Sequence, residues 1–149
     1  VSETMIYASK ADIEALYGPD FLTDILPGEM TEPADIDAAV ANALSAASEE
    51  IDEYLSARYR LPLKSAPSNL RRPAIDIAVY VLANRHSSLT EDIRQRYEDA
   101  TARLKRIADG KSGLGTSEPR IDGGGSTTAT GSGADFTAEP RRFTRDTMR

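Results

Sequence analysis

The sequence contains no cysteine, no tryptophan and a single histidine, His86. Without cysteine there is no disulfide framework and no thiolate metal site. With one imidazole and no His/Asp/Glu cluster at ligand spacing, no metal site is expected. Nothing approaches the ~18 consecutive apolar residues that a membrane span needs. Residues 1–6 lack a basic region followed by an apolar stretch, so they do not read as a secretory signal, and the cytoplasm of whatever cell makes the chain is the expected compartment. The 149 residues suffice for one domain with a real core, not for two.

The groups that carry catalysis are equally scarce. His86 falls at the end of a predicted helix, where an imidazole serves more readily as a dipole partner than as a base. The neighbouring carboxylates Glu49-Glu50 and Asp52-Glu53 point in different directions on a helix and read as a solvated face. Gly123-Gly124-Gly125 neither opens a helix nor precedes Gly-Lys-Ser/Thr, so it is no phosphate cradle. No catalytic, cofactor-binding or metal-ligating residue is expected, and the chain reads as a non-enzyme.

Nucleic-acid binding fares little better. Arg94, Arg96, Arg103, Lys105 and Arg106 share a helix with Glu91, Asp92, Glu98, Asp99 and Asp109. That mixture predicts surface ion pairs rather than a one-sided phosphate footprint. A DNA-binding or regulatory helical module is the second reading of the chain.

What is present is charge asymmetry and helical patterning. Through Ser68 there are 13 acidic and 4 basic residues; from Asn69 there are 11 acidic and 14 basic. Two oppositely charged surfaces on one small chain fit head-to-tail contact with copies of itself or a partner.

Ser9 with Asp12 three positions on is a capping-box pattern, and Ile13, Leu16 and Tyr17 mark one face of a short helix ended by Gly18-Pro19. Residues 20–26 allow a further turn or two before Pro27-Gly28. Asp35 is the expected cap of the longest helix. Its stripe is Ile36, Val40, Leu44, Ala47, Ile51, Leu55 and Tyr59, and Leu61-Pro62 ends it. Asp37, Asn42, Glu49, Asp52 and Glu53 fall on the opposite face.

Asn69 is the expected cap of a second core helix. Ile75, Ile77, Val79 and Val81 alternate like a strand, but the apolar pattern continues through Leu82-Ala83 and follows a cap, so a central helix buried on two flanks is predicted. Thr90 caps a third long helix with Ile93, Tyr97, Ala100, Leu104 and Ile107 on its face and Gly110 as its stop. The fold class is mainly α: a small bundle of three main helices plus short N-terminal helices. An extended C-terminal arm could add a strand to a neighbour.

The domain boundary is placed at Gly110, giving a bundle over 1–110 and an arm over 111–149. The arm has few apolar anchors: Leu114, Ile121, Phe136, Phe143 and Met148. Its Gly/Ser/Thr-rich stretch, 123–133, has a flexible-linker composition. Fixing that stretch costs more than ~10 kcal/mol, at ~1–2 kcal/mol of backbone entropy per residue. Any order must be borrowed from adjacent chains. The ending Pro140-Arg141-Arg142-Phe143-Thr144-Arg145-Asp146-Thr147-Met148-Arg149 is basic with apolar points, the pattern of a segment that docks in a groove or on a sheet edge. Phe136, Arg141, Arg142, Phe143, Arg145 and Asp146 are its expected interface residues, with Phe143 and Arg145 the preferred anchors.

Several motifs together resemble a family of small Mu-like phage proteins, described as uncharacterised or as head-completion and head–tail connector (neck) proteins. Ile51-Asp52-Glu53-Tyr54-Leu55-Ser56-Ala57-Arg58-Tyr59-Arg60-Leu61-Pro62-Leu63 carries most of the resemblance. It continues in Asp76-Ile77-Ala78-Val79-Tyr80, in Arg96-Tyr97-Glu98-Asp99-Ala100, and in Ile107-Ala108-Asp109-Gly110-Lys111 with Leu114-Gly115. Ile6-Tyr7-Ala8 with Asp12, and Arg142-Phe143-Thr144-Arg145-Asp146, complete it. Each motif is short; their order and spacing give the likeness its specificity.

The resemblance implies a virion protein of the neck: a subunit of a homo-oligomeric, dodecameric ring beneath the portal protein, joined to the next neck or tail protein and surrounding the DNA exit channel. It implies no catalytic residues, no cofactor and no membrane. DNA would pass without specific binding, and Glu49, Asp52 and Glu53 are the expected channel-facing acids that would repel it.

Overall fold

The computed structural model describes residues 4–115. The chain opens with an extended segment laid on the longest helix: the Tyr7 amide donates to Ser48 Oγ at 3.3 Å and the Tyr7 hydroxyl to Asp52 Oδ1. Tyr7 and Ala8 are buried by this, and Ile6 stays exposed.

Helix α1, Lys10–Tyr17, starts at the expected capping box. Ser9 Oγ accepts the Asp12 amide at 3.3 Å, and Asp12 accepts the Ser9 amide at 2.9 Å. The Ser9 amide holds the Asp12 carboxyl below its usual range. Gly18, at φ 100°, ends the helix. Ile13 is its buried residue; Leu16, expected on the same face, is exposed instead. Helix α2, Phe21–Ile25, is a single short element that buries Leu22 and Ile25.

Helix α3, Pro33–Leu55, is shifted relative to the expected span. It begins with Pro33 at N1 after Glu32, not at an Asp35 cap, because proline is preorganised for the first helical position. It closes at Leu55, before the Leu61-Pro62 breaker, with Ser56 as C-cap. The apolar stripe nevertheless holds. Val40, Leu44, Ala47, Ile51 and Leu55 are buried, and Tyr59 is buried by a turn in which its amide donates to the Leu55 carbonyl.

A 3-10 turn, Ser68–Leu70, leads directly into α4, Arg71–Arg85. Asn69 is therefore not the N-cap. It lies inside the turn, and its Nδ2 donates to the Gly113 carbonyl at 3.4 Å. Pro73 occupies the first turn of α4, where its missing N–H has no helical partner to lose. The strand-like alternation resolves as helix: Ile75, Ile77, Ala78, Val79 and Leu82 are all buried because α3 and α5 both pack on α4. Helix α5, Glu91–Ala108, begins with Thr90 Oγ1 accepting the Ile93 amide at 3.3 Å.

The end of α5 is a Schellman motif. The Lys111 amide donates to the Arg106 carbonyl at 2.9 Å and the Gly110 amide to Ile107 at 3.1 Å, with Gly110 at φ 80°. A methyl group at Gly110 would stand 1.7 Å from Arg58 Nη1, so the Arg58 guanidinium covers this corner. Gly110→Ala therefore combines left-handed strain with displacement of Arg58. The expected loss is about 1–2 kcal/mol in urea unfolding, with the strain setting the scale. Equal stability of the two proteins would show that the chain leaves α5 by another route.

Leu114 is 3% exposed and belongs to the main core. The bundle thus continues past Gly110, and the first residues assigned to the arm are part of it. No helix of the described residues is long and apolar enough to cross a membrane.

Candidate functional site

The second half of α3 and the end of α5 enclose an open hollow of about 690 Å3. Its floor is made of small side chains, Ala46, Ala57 and Ala108, with Tyr54 beside them. Its rim carries Glu49, Glu50 and Glu53. These three converge because positions four apart on a helix share a face, and Glu50 is adjacent to that face.

Glu50 is held by a specific support. Tyr97 Oη donates to Glu50 Oε1 at 2.9 Å, and the Tyr97 ring stacks on Tyr80 at 4.0 Å between centroids. Burial, reinforced by the Glu50 carboxylate, pushes the Tyr97 hydroxyl up to about 12. Glu49 and Glu53 are exposed, and neither forms an ion pair among the described residues. A second open hollow of about 580 Å3 shares Ala46 and extends along α3 past Ala43, Ala39 and Asp35 to Val81 and His86 of α4. The two hollows touch at Ala46, and the acidic one, lined by Glu49, Glu50 and Glu53, is the groove at the C-terminal end of α3.

Asp52 is separated from this groove. It is half-buried and accepts the Tyr7 hydroxyl, and burial, together with nearby Glu49, raises its carboxyl above the usual 3.8. The three acids expected to face a channel thus divide. Glu49 and Glu53 share a rim, Asp52 holds the N-terminal segment in place, and Glu50 completes the rim.

A different polar cluster joins α1, α4 and α5. Asp76, buried on α4, accepts Tyr17 Oη at 2.9 Å and Arg72 Nε at 3.2 Å. The Arg96 guanidinium lies 4.9 Å from the centre of the Tyr17 ring, and Tyr17 also stacks on Phe21. Burial raises the Asp76 carboxyl despite these partners. This cluster was missed in the sequence, although an acid isolated in an apolar run four residues after an arginine is a visible signal.

Arg94 is committed to Glu91 at 2.6 Å and Glu98 at 3.8 Å, the surface pairing expected of α5. Arg103, Lys105 and Arg106 are exposed with no ion pair among the described residues. His86 is the C-cap of α4. Among the described residues no group of three or more His, Asp or Glu is placed to hold a metal. Phe136, Arg141, Arg142, Phe143, Arg145 and Asp146 lie outside the described residues.

Comparison with known proteins decides the family. Residues 7–130 match the family described as Bacteriophage Mu, Gp36. The chain belongs to this family. A Gp36-family relative, the Mu-like prophage FluMu protein gp36 of Haemophilus influenzae, is 36% identical over 115 residues, covering 76% of this chain and 79% of its own. Gene product J of Escherichia phage Mu is 40% identical over 112 residues, covering 74% and 77%. The match to the Gp36 family begins at Tyr7, the residue that fastens the N-terminal segment to α3, and runs beyond the bundle to residue 130. The basic ending 140–149 lies past it.

Proposed function

We propose that this Gp36-family chain is a structural subunit of the phage head–tail connector. Copies form a ring between the portal and the tail and surround the path of the DNA. The observation that supports this most is the division of unpaired charge. Glu49 and Glu53 line a groove on α3, while Arg103, Lys105 and Arg106 stand on the last turns of α5. A ring requires heterologous contacts, in which each subunit offers two different surfaces to its neighbours. The acidic groove of α3 and the cations at the end of α5 offer two such surfaces, each to its own partner. The bundle's polar cores, around Asp76 and around Tyr97 with Glu50, join its own helices.

Reversal of the basic patch tests the reading. A chain carrying Arg103→Glu, Lys105→Glu and Arg106→Glu should keep its helical circular dichroism, since all three side chains are exposed. Phage supplied only with this variant should yield separate heads and tails in electron micrographs, with infectious titre reduced by orders of magnitude. Normal particles containing the variant would remove the patch from assembly. Salt-sensitive binding of wild-type chain to duplex DNA, lost in the variant, would favour a nucleic-acid-binding module instead.

A further inference from the structure

We propose that the groove along α3 receives the basic C-terminal segment, residues 140–149, of a neighbouring copy. This rests on the ring reading for the source of the segment, and on the groove itself for the place where it binds.

The charges are complementary. Glu49 and Glu53 stand on the rim without an ion pair among the described residues, and Glu50 keeps a free oxygen beyond its bond to Tyr97. Residues 140–149 carry Arg141, Arg142, Arg145 and Arg149 against one acid, Asp146. The shapes are complementary as well. Ala46, Ala57, Ala108 and Tyr54 are the apolar lining of this open hollow of about 690 Å3. In an extended segment alternate side chains share a side, so Arg141, Phe143 and Arg145 would present a ring flanked by two cations. Phe143 would sit on the alanine floor, and the arginines would meet the rim in bidentate pairs.

The length permits an inter-copy contact. Residues 116–139 span up to ~80 Å at ~3.3 Å per residue, well over the dimensions of a bundle whose radius of gyration is ~13 Å by its size. The sequence expectation placed Glu49 and Glu53 on a channel wall; docking would give them a partner instead, and the two assignments are experimentally separable.

The test uses the full chain with a photoreactive phenylalanine analogue at position 143. Equal amounts of 14N- and 15N-labelled chain are mixed at high concentration and low salt, irradiated and mapped by mass spectrometry, and particle mass is measured on the same sample by light scattering. The expected result is crosslinks to residues 46–57, on α3 and the turn after it, half of them joining chains of different isotope. Yield should fall about tenfold in Glu49→Lys/Glu53→Lys, two exposed-pair losses plus repulsion, and recover when Arg141→Glu/Arg145→Glu is mixed with it. Both substitutions in α3 are at exposed positions, and circular dichroism checks that the bundle is intact. Crosslinks elsewhere on the surface, or a yield indifferent to charge reversal, would overturn the assignment of the groove while leaving the ring reading in place. Crosslinks in the groove between identical isotopes only would overturn the inter-copy contact. A monomeric mass in the same sample would count against the ring.

Discussion

Ile77→Ala should lower the stability of the chain by about 3 kcal/mol and its Tm by about 15 °C. Ile77 has no exposed surface, and it lies in the middle of α4, the one helix on which both α3 and α5 pack. Removing three carbons there leaves a cavity between two helices that are fixed elsewhere. The site cannot collapse inward from one side as a peripheral site could. Ile77→Val, which removes one methylene, should cost about 1 kcal/mol. Urea unfolding followed by circular dichroism at 222 nm measures both. A cost for the alanine variant below about 1 kcal/mol would mean that α4 is not enclosed on two flanks.

Asp76→Ala should cost about 2–3 kcal/mol, since it strips the acceptor from Tyr17 and Arg72 at once. The cost falls below that of a fully buried ion pair because the Arg72 side chain is 51% exposed and water can serve it. Tyr17→Phe, which leaves Asp76 with Arg72, should cost less, about 1 kcal/mol.

The same residue gives a pH dependence of definite sign. Burial raises the folded-state pKa of Asp76 above its ordinary 3.8. Between those two values the folded protein binds more protons than the unfolded chain. The contribution of Asp76 is thus complete below 3.8 and is lost as pH rises through the raised value. Asp76→Asn does not titrate. The stability of the wild type relative to this variant should therefore decline as pH is raised through the carboxylate range. A relative stability that climbs over that range would show that Arg72 and Arg96 outweigh burial. Asp12 acts in the opposite sense: its lowered carboxyl contributes stability above 3.8 that disappears as pH falls through the depressed value.

Fold and site were legible to different degrees. The helix starts at Ser9 and Thr90, and the stop at Gly110, are local hydrogen-bond and backbone-sign requirements, so a few adjacent residues specify them. The stripe from Val40 to Leu55 is equally local, since it needs only the helical period. The ambiguous run from Ile75 to Val81 could be settled only by its cap and its length, because burial on two flanks erases the amphipathic signal that distinguishes helix from strand. The boundary errors at Asp35, Tyr59 and Asn69 come from competition. Pro33 begins the helix earlier than an Asp cap would, and a turn buries Tyr59 without extending the helix.

The candidate site was only half legible. Three acids on the polar side of α3 were visible, but not which of them would meet. Asp52 is diverted by Tyr7, 45 residues away in sequence, and Glu50 is drawn in by Tyr97, 47 residues away. Neither pairing has a local signature. The belonging of Leu114 to the core is of the same kind, since its neighbours come from elements far upstream.

The sequence by itself determined that the chain is helical, where α1 and α5 are capped, that its two halves differ in charge, and which phage family it resembles. These follow from local backbone chemistry, periodicity and composition. The tertiary structure alone decided that Glu49, Glu50 and Glu53 surround one alanine-floored groove and that Asp52 does not. It also decided that Asp76 holds Tyr17 of α1, whose ring in turn lies under Arg96 of α5. Such side chains are brought together only when α3, α4 and α5 pack, and packing depends on contacts that no short stretch of sequence contains.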